Sequence, residues 1–177
     1  AQRDILFAWT GFATTVEAET YIGMGLSKNL DEWFAAASQL EVGAANFVAA
    51  DASSIRYRVH AQIPDRGAIG KDIRPWLMMD GNDPRTAWNG NFLSDEKLPQ
   101  ARDPERGYLA TANNEPWGFT ADGRVDNDPF YFGYFYDPGD RAGRIETELR
   151  RLIREKPGKI SSTDMIALQN DAKSTLA

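Results

Sequence analysis

Cysteine is absent from the 177-residue sequence, and histidine occurs once. Without cysteine the chain can form no disulfide, no thiolate metal site and no thiol nucleophile. The single histidine, His60, does not make a histidine-rich metal site, and we expect it on the outward face of a strand as an ordinary surface residue. The lack of cysteine is compatible with an oxidising compartment, and we expect a periplasmic or secreted location.

Positive charge and long apolar runs are also scarce. The formal net charge is −6, from 20 Lys and Arg against 26 Asp and Glu, which argues against the phosphate-neutralising surface that nucleic-acid binding requires. No stretch reaches the roughly 18 uninterrupted apolar residues of a membrane-spanning helix. The opening AQRDILFAWT has neither the basic nor the apolar region of a signal peptide. We therefore expect no nucleic-acid partner and no membrane span.

The apolar spacing predicts one segment that mixes helices with antiparallel strands. Ile5, Phe7 and Trp9 alternate at the strand period and predict an opening strand. NFVAAD and SIRYRVHAQIP predict a hairpin around a DASS turn, and GYLATA predicts one more short strand. Residues 64–104 are crowded with Gly, Pro, Asp and Asn, and predict a long irregular segment pinned by tryptophans. The fold class is α+β.

Helix start signals occur at two places. Asn29 as N-cap with Glu32 three residues later resembles a capping box, and this helix is expected to end near Gly43. Ser161 with Asp164 predicts the start of the last helix. Between them, apolar residues at helical spacing in RIETELRRLI predict another helix, which closes in KPGK.

No common catalytic motif is complete. The sequence lacks the Walker A, G-x-G-x-x-G and G-x-S-x-G patterns. Its carboxylates are scattered through turns such as DGNDP and DGRVDNDP, where solvated turn residues are expected, and the EF-hand spacing is not met. The adjacent asparagines Asn113 and Asn114 in RGYLATANNEPWG are typical turn formers before a proline. Whether either also serves a reaction is a separate question.

Five fragments, in order, resemble the β chain of the penicillin amidase family, the N-terminal-nucleophile acylases that include penicillin, aculeacin and acyl-homoserine-lactone acylases. The fragments are LSKNLDEWFAAASQL, NFVAAD with its hairpin to IPDR, AWNGNFLSDEKLPQARDPERGYLATANNEP, YFYDPGDRAGRIETEL and TDMIALQNDAKS. They cover most of residues 10–175. The resemblance implies that residues 1–177 are a single segment from inside a larger β chain. It also implies a portion of an αββα sandwich with antiparallel strands and peripheral helices.

The resemblance implies an amide hydrolase that removes an acyl group from a penicillin-type or N-acyl-homoserine-lactone-type molecule through an N-terminal serine. Ala1 has no side-chain oxygen or sulfur to act as such a nucleophile, so we expect the serine outside this chain and the isolated chain to be inactive. The expected partners are the α chain, the N-terminal part of the β chain and an acyl-amide substrate. The alternatives are a non-catalytic binding module or degenerate paralogue, and an aromatic-rich ligand-binding domain unrelated to acylases.

Two residues receive catalytic roles from the resemblance. Asn113 would offer its side-chain amide to the oxyanion of the tetrahedral intermediate, a role suited to a neutral NH₂ donor, and would help to position the nucleophile's amino group. Arg141 matches the first arginine of an R-x-x-R-I motif near the active site and would orient catalytic groups; Arg144 is the second. The other interpretations are that both asparagines are turn formers, which we expect for Asn114, and that Arg141 is a solvated first-turn arginine.

The resemblance also implies a substrate-binding strand. Ala45 and Asn46 would border the acyl pocket, where the small side chain of Ala45 would leave room for acyl bulk. We expect no cofactor and no metal ligand set in this chain. A structural calcium ion in the full protein stays open, because the family's acidic ligand after the asparagine pair falls near Phe130, with Asp128 as a shifted candidate.

Overall fold

A computed structural model describes residues 4–67, 72–116, 127 and 129–173. Within these residues the chain forms four α-helices and three strands, which confirms the α+β class. In chain order they are α1 (Glu17–Leu26), α2 (Leu30–Ala37), β1 (Ala45–Ala50), β2 (Ile55–His60), β3 (Gln100–Arg102), α3 (Asp140–Glu155) and α4 (Ser162–Gln169). Of the helices in the described ranges, none has the length and apolarity needed to cross a membrane.

The three strands form one antiparallel sheet in the order β1-β2-β3. The predicted hairpin is confirmed, because β1 pairs with β2 and Val48 lies opposite Tyr57. Its turn closes because the carboxylate of Asp51 accepts hydrogen bonds from the backbone N–H groups of Ser53 and Ser54, at 2.8 and 2.9 Å. Such bonds to the following backbone are the reason that Asp favours turns.

Helix α2 covers one face of the hairpin. Asn29 caps the helix by accepting a hydrogen bond from the N–H of Glu32 at 2.9 Å, as the sequence predicts. The helix ends at Ala37 and not near Gly43, because i→i−3 bonds tighten its last turn. The apolar stripe of α2 packs on β1 and forms the core cluster of Leu30, Phe34, Ala37, Leu40 and Phe47.

Two of the strand predictions are wrong. Ile5, Phe7 and Trp9 are exposed and belong to no strand; the Phe7 and Trp9 rings instead pack edge-on against Phe12, a contact that needs no partner strand. GYLATA also forms no strand. The third strand is β3, which begins seven residues before GYLATA, because pairing with β2 satisfies the backbone hydrogen-bonding groups of β3. GYLATA lies against α3 instead.

The expected surface position of His60 is also wrong, since its side chain is buried with 6% relative exposure. Strand period alone places a residue on one of two faces, and here α2 and the chain around Asp95 cover the face that carries His60. Burial lowers the pKa of His60, because the charged imidazolium loses its hydration, while the nearby Asp95 carboxylate opposes this shift.

Helix α3 ends and helix α4 begins where the sequence predicts. Helix α3 ends before the glycine of KPGK, Gly158, which adopts φ +66°. Helix α4 begins with a complete capping box between Ser161 and Asp164. A groove of about 1010 Å³ separates these helices from the hairpin face opposite α2, where Val48 and Ile55 line it.

Candidate active site

The segment that precedes the asparagine pair is fastened to α3 by polar side chains. Arg150 donates to the hydroxyl of Tyr108 at 3.1 Å, and Arg106 donates to the backbone carbonyl of Tyr108 at 3.0 Å. Arg106 also pairs with Glu146 on α3 at 3.2 Å. Tyr108 and Ala112 are buried, which leaves the segment little room to shift. The asparagines are therefore presented beside the N-terminal end of α3.

The asparagine turn, Ala112–Glu115, places the two side chains in different environments. Asn113 adopts the left-handed conformation, with φ +64°, which asparagine tolerates better than most residues. The side-chain oxygen of Asn114 accepts from the N–H of Ala112 at 3.2 Å, and its amide donates to the carbonyl of Glu115 at 3.2 Å. The Asn114 side chain thus closes the turn, whereas the Asn113 side chain is exposed.

Arg141 determines which way the Asn113 amide faces. Its Nη2 atom donates to Asn113 Oδ1 at 3.0 Å, to the carbonyl of Ala112 at 2.7 Å and to Asp137 Oδ2 at 2.8 Å. A guanidinium can only donate, so the atom of Asn113 that faces it must be the oxygen. The Nδ2 group of Asn113 consequently points away from Arg141, and within the described part of the chain it donates no hydrogen bond.

Asp137 is part of the same arrangement and was missed by the sequence analysis. Its backbone N–H donates to the carbonyl of Asn113 at 2.8 Å, and a parallel bridge joins Asp137 to Asn114. The hydrogen bond from the Arg141 side chain lowers the pKa of the Asp137 carboxyl below its usual value, and a hydrogen bond from the backbone N–H of Gly139 adds to this effect. The spacing Asp137–Arg141 is the i,i+4 spacing of a helical ion pair. That spacing was the available signal, although Asp137 lies before the helix.

The predicted substrate-binding residues lie on β1, on opposite faces of the sheet. Ala45 packs against the α2 core cluster. Asn46 accepts a hydrogen bond from the hydroxyl of Tyr57 at 2.6 Å. Burial raises the pKa of Tyr57, and the negative charge of Glu115 adds to this shift. Asn46 thus contacts Tyr57 on the sheet face opposite α2, and Ala45 lies on the face that α2 covers.

Arg144 has a different role from Arg141. It pairs with Glu148 at 2.7 Å and with Asp171 at 2.6 Å, and so ties α3 to the chain that follows α4. No group of three or more His, Asp or Glu side chains within residues 4–67, 72–116, 127 and 129–173 could hold a metal ion. Asp128, the shifted candidate for a calcium ligand, lies outside the described residues.

The fold and the site define an α+β protein that presents an oriented, exposed amide donor beside a groove. The family follows from the sequence as a whole, because residues 1–177 match the family model described as Penicillin amidase. The chain therefore belongs to the penicillin amidase family. No curated protein sequence gives a significant match.

A solved structure shares this fold. The chain is similar to a thermostable penicillin G acylase from Alcaligenes faecalis, with a TM-score of 0.56 and 20% sequence identity. The similarity covers 84% of this chain and 24% of that chain. The chain thus spans about a quarter of the acylase chain that it matches.

Proposed function

We propose that this chain is part of an acylase-type amide hydrolase and that Asn113 supplies an oxyanion donor to its active site. The observation that carries the proposal is the hydrogen bond from Arg141 to Asn113 Oδ1, at 3.0 Å. That bond turns the amide oxygen toward Arg141 and Nδ2 away from it, and Nδ2 donates to no group among the described residues, so it can donate toward a ligand. Family membership supports the reaction class.

The proposed reaction begins with attack on the substrate's amide carbonyl by an N-terminal serine that lies outside this chain. The carbonyl oxygen gains negative charge in the tetrahedral intermediate, and Asn113 Nδ2 donates a hydrogen bond to it. A fixed donor of this kind costs no reorganisation when the charge develops. The α-amino group of the serine takes the hydroxyl proton during the attack and gives it to the leaving amine when the intermediate collapses. The resulting acyl-enzyme is then hydrolysed by water, which releases the acid and restores the serine.

Several finer points belong to the same proposal. The substrate is a small acyl-amide of the penicillin or N-acyl-homoserine-lactone type, with Ala45 and Asn46 at the acyl pocket. An α chain and the N-terminal part of the β chain complete the site, and the enzyme works in the periplasm or outside the cell. The 24% coverage of the matched acylase chain supports the need for further segments, without which the isolated chain is inactive.

Replacement of Asn113 in the full-length protein tests the donor role. Asn113→Asp keeps an oxygen for Arg141 but removes the Nδ2 donor, and we expect kcat to fall by about 10²–10³ on chromogenic acyl-anilides. Asn113→Ala should reduce kcat similarly and cost about 1 kcal/mol of stability, because alanine is strained at positive φ. Asn113→Gly should recover that stability, measured by thermal unfolding, but not the activity.

The control is Asn114, which closes the turn and has no proposed part in the reaction. Asn114→Ala should lower the thermal midpoint while kcat changes less than in the Asn113 variants. A kcat of Asn113→Asp within about two-fold of the wild-type value would contradict the donor role. A full-length protein that hydrolyses no acyl-anilide, with aromatic or aliphatic acyl groups, would favour the non-catalytic binding module.

A further inference from the structure

Asp137 makes two kinds of contact that converge on Asn113. Its backbone N–H holds the carbonyl of Asn113 at 2.8 Å. Its carboxylate accepts from Nη2 and Nε of Arg141 at 2.8 and 3.1 Å. The same Nη2 then reaches the amide oxygen of Asn113 at 3.0 Å. Asp137 therefore contacts the Asn113 backbone directly and the Asn113 side chain through Arg141.

Arg141 needs this carboxylate in order to stay in place. Its side chain is 59% exposed, whereas that of Asp137 is 20% exposed. An exposed arginine gains rotamer entropy when it is released, and a cation in the first turn of α3 is unfavourable beside the positive helix end. The other two acceptors of Nη2, on Ala112 and Asn113, are neutral. The bonds to Asp137 join two opposite charges and are therefore the stronger restraint.

The orientation of the Asn113 amide depends on that restraint. An asparagine side chain can rotate by 180° and exchange its oxygen and nitrogen with little steric change. With Arg141 in place the oxygen is turned inward and Nδ2 outward. Without it both orientations become accessible, and the flipped one would direct an oxygen at the developing oxyanion and repel it.

We propose that Asp137 is a positioning residue that acts through Arg141 to keep the Asn113 amide oriented as an oxyanion donor. The proposal rests on the proposed function of Asn113. It assigns to Asp137 no contact with the substrate and no proton transfer. Its effect should therefore appear in kcat, where a transition-state interaction is lost, and much less in KM.

The test uses Asp137→Asn in the full-length protein, since asparagine keeps the size of the side chain and the backbone N–H. We expect kcat on chromogenic acyl-anilides to fall by about 10-fold, less than on removal of the donor itself, with KM within about two-fold. Asp137→Glu should restore part of the loss, because it restores the charge. The matched control is Asp140→Asn, which removes the same charge three residues away. Within the described residues, no hydrogen bond or ion pair joins Asp140 to Arg141.

A double-mutant cycle decides whether Asp137 acts through Asn113. In an Asn113→Ala background, Asp137→Asn should lower kcat by less than about two-fold further. If Asp137→Asn does not fold, Arg141→Gln tests the same contact and should show the same dependence on Asn113. An equal kcat loss in both backgrounds would overturn the proposal, and so would an unchanged kcat in Asp137→Asn. If Asn113→Ala itself leaves kcat unchanged, the proposed function fails first, and the role of Asp137 is overturned with it.

Discussion

The α2–hairpin core and the asparagine turn are stabilised by different forces. In the core, Phe34 is 2% exposed and Leu40 is 3% exposed, and the ring of Trp33 lies 5.0 Å from that of Phe34 and 5.6 Å from that of Phe47. Around the turn, Asn113 and Arg141 are exposed and joined by hydrogen bonds. Apolar burial dominates stability, whereas exposed ion pairs contribute little to it.

The difference indicates that stability and proposed catalysis can be separated by mutation. The core should tolerate changes in the asparagine turn, because few buried apolar contacts are lost there. The turn should keep its geometry when the core is weakened but still folded, because α3 holds it from the other side of the groove. The following predictions test this separation, from the largest expected effect to the smallest.

The largest effect is expected for Phe34→Ala in the core. The Phe34 ring packs edge-on against Trp33. The guanidinium of Arg56 stacks over the same ring, with its carbon 4.5 Å from the ring centroid. Loss of a buried phenylalanine costs about 3–5 kcal/mol of unfolding free energy. Chemical denaturation measures the loss. At a temperature where the variant is folded, kcat should be within about two-fold of the wild-type value. A kcat loss comparable to that of Asn113→Asp would show that the two regions are coupled.

A smaller effect is expected at the cap of α2. Asn29 accepts from the N–H of Glu32, and its own amide donates to the Glu32 carboxylate at 2.8 Å. Asn29→Ala should lower the free energy of unfolding by about 1 kcal/mol, the usual cost of a lost N-cap. Asn29→Ser keeps a side-chain oxygen as acceptor, adds no charge beside Glu32 and serves as control, with little expected change. Equal destabilisation by both substitutions would place the contribution in the amide contact to Glu32.

The smallest effect concerns the pH dependence introduced by His60. Burial lowers its pKa in the folded chain, so the unfolded chain binds the proton more readily. Stability due to His60 is therefore complete above its unfolded pKa of about 6.5 and falls as the pH drops below that value. Arg58 adds to the shift and Asp95 opposes it. In His60→Gln, the thermal midpoint should fall less between pH 7.5 and 5.5 than in the wild type. Parallel pH profiles would contradict a neutral, buried His60.

Features encoded by neighbouring residues could be predicted from the sequence. The Asn29 and Ser161 caps, the DASS hairpin turn and the end of α3 at KPGK all depend on contacts within a few residues, and all are confirmed. Failures occurred where the partner is distant. The Ile5–Trp9 stretch has the strand pattern, but no strand pairs with it within the described residues, and GYLATA has a polar contact on α3. Strand period cannot supply a missing partner.

The candidate site shows the same division. The sequence determined that the asparagine pair forms a turn, and the resemblance to a family singled out Asn113 and Arg141. Only the tertiary structure decided that Arg141 contacts Asn113 from 28 residues further along the chain, and that Asp137 holds both of them. Local hydrogen bonds of Asn and Asp are set by sequence neighbours. The direction of the Asn113 amide is set instead by a donor-only guanidinium that the packing of α3 brings beside it.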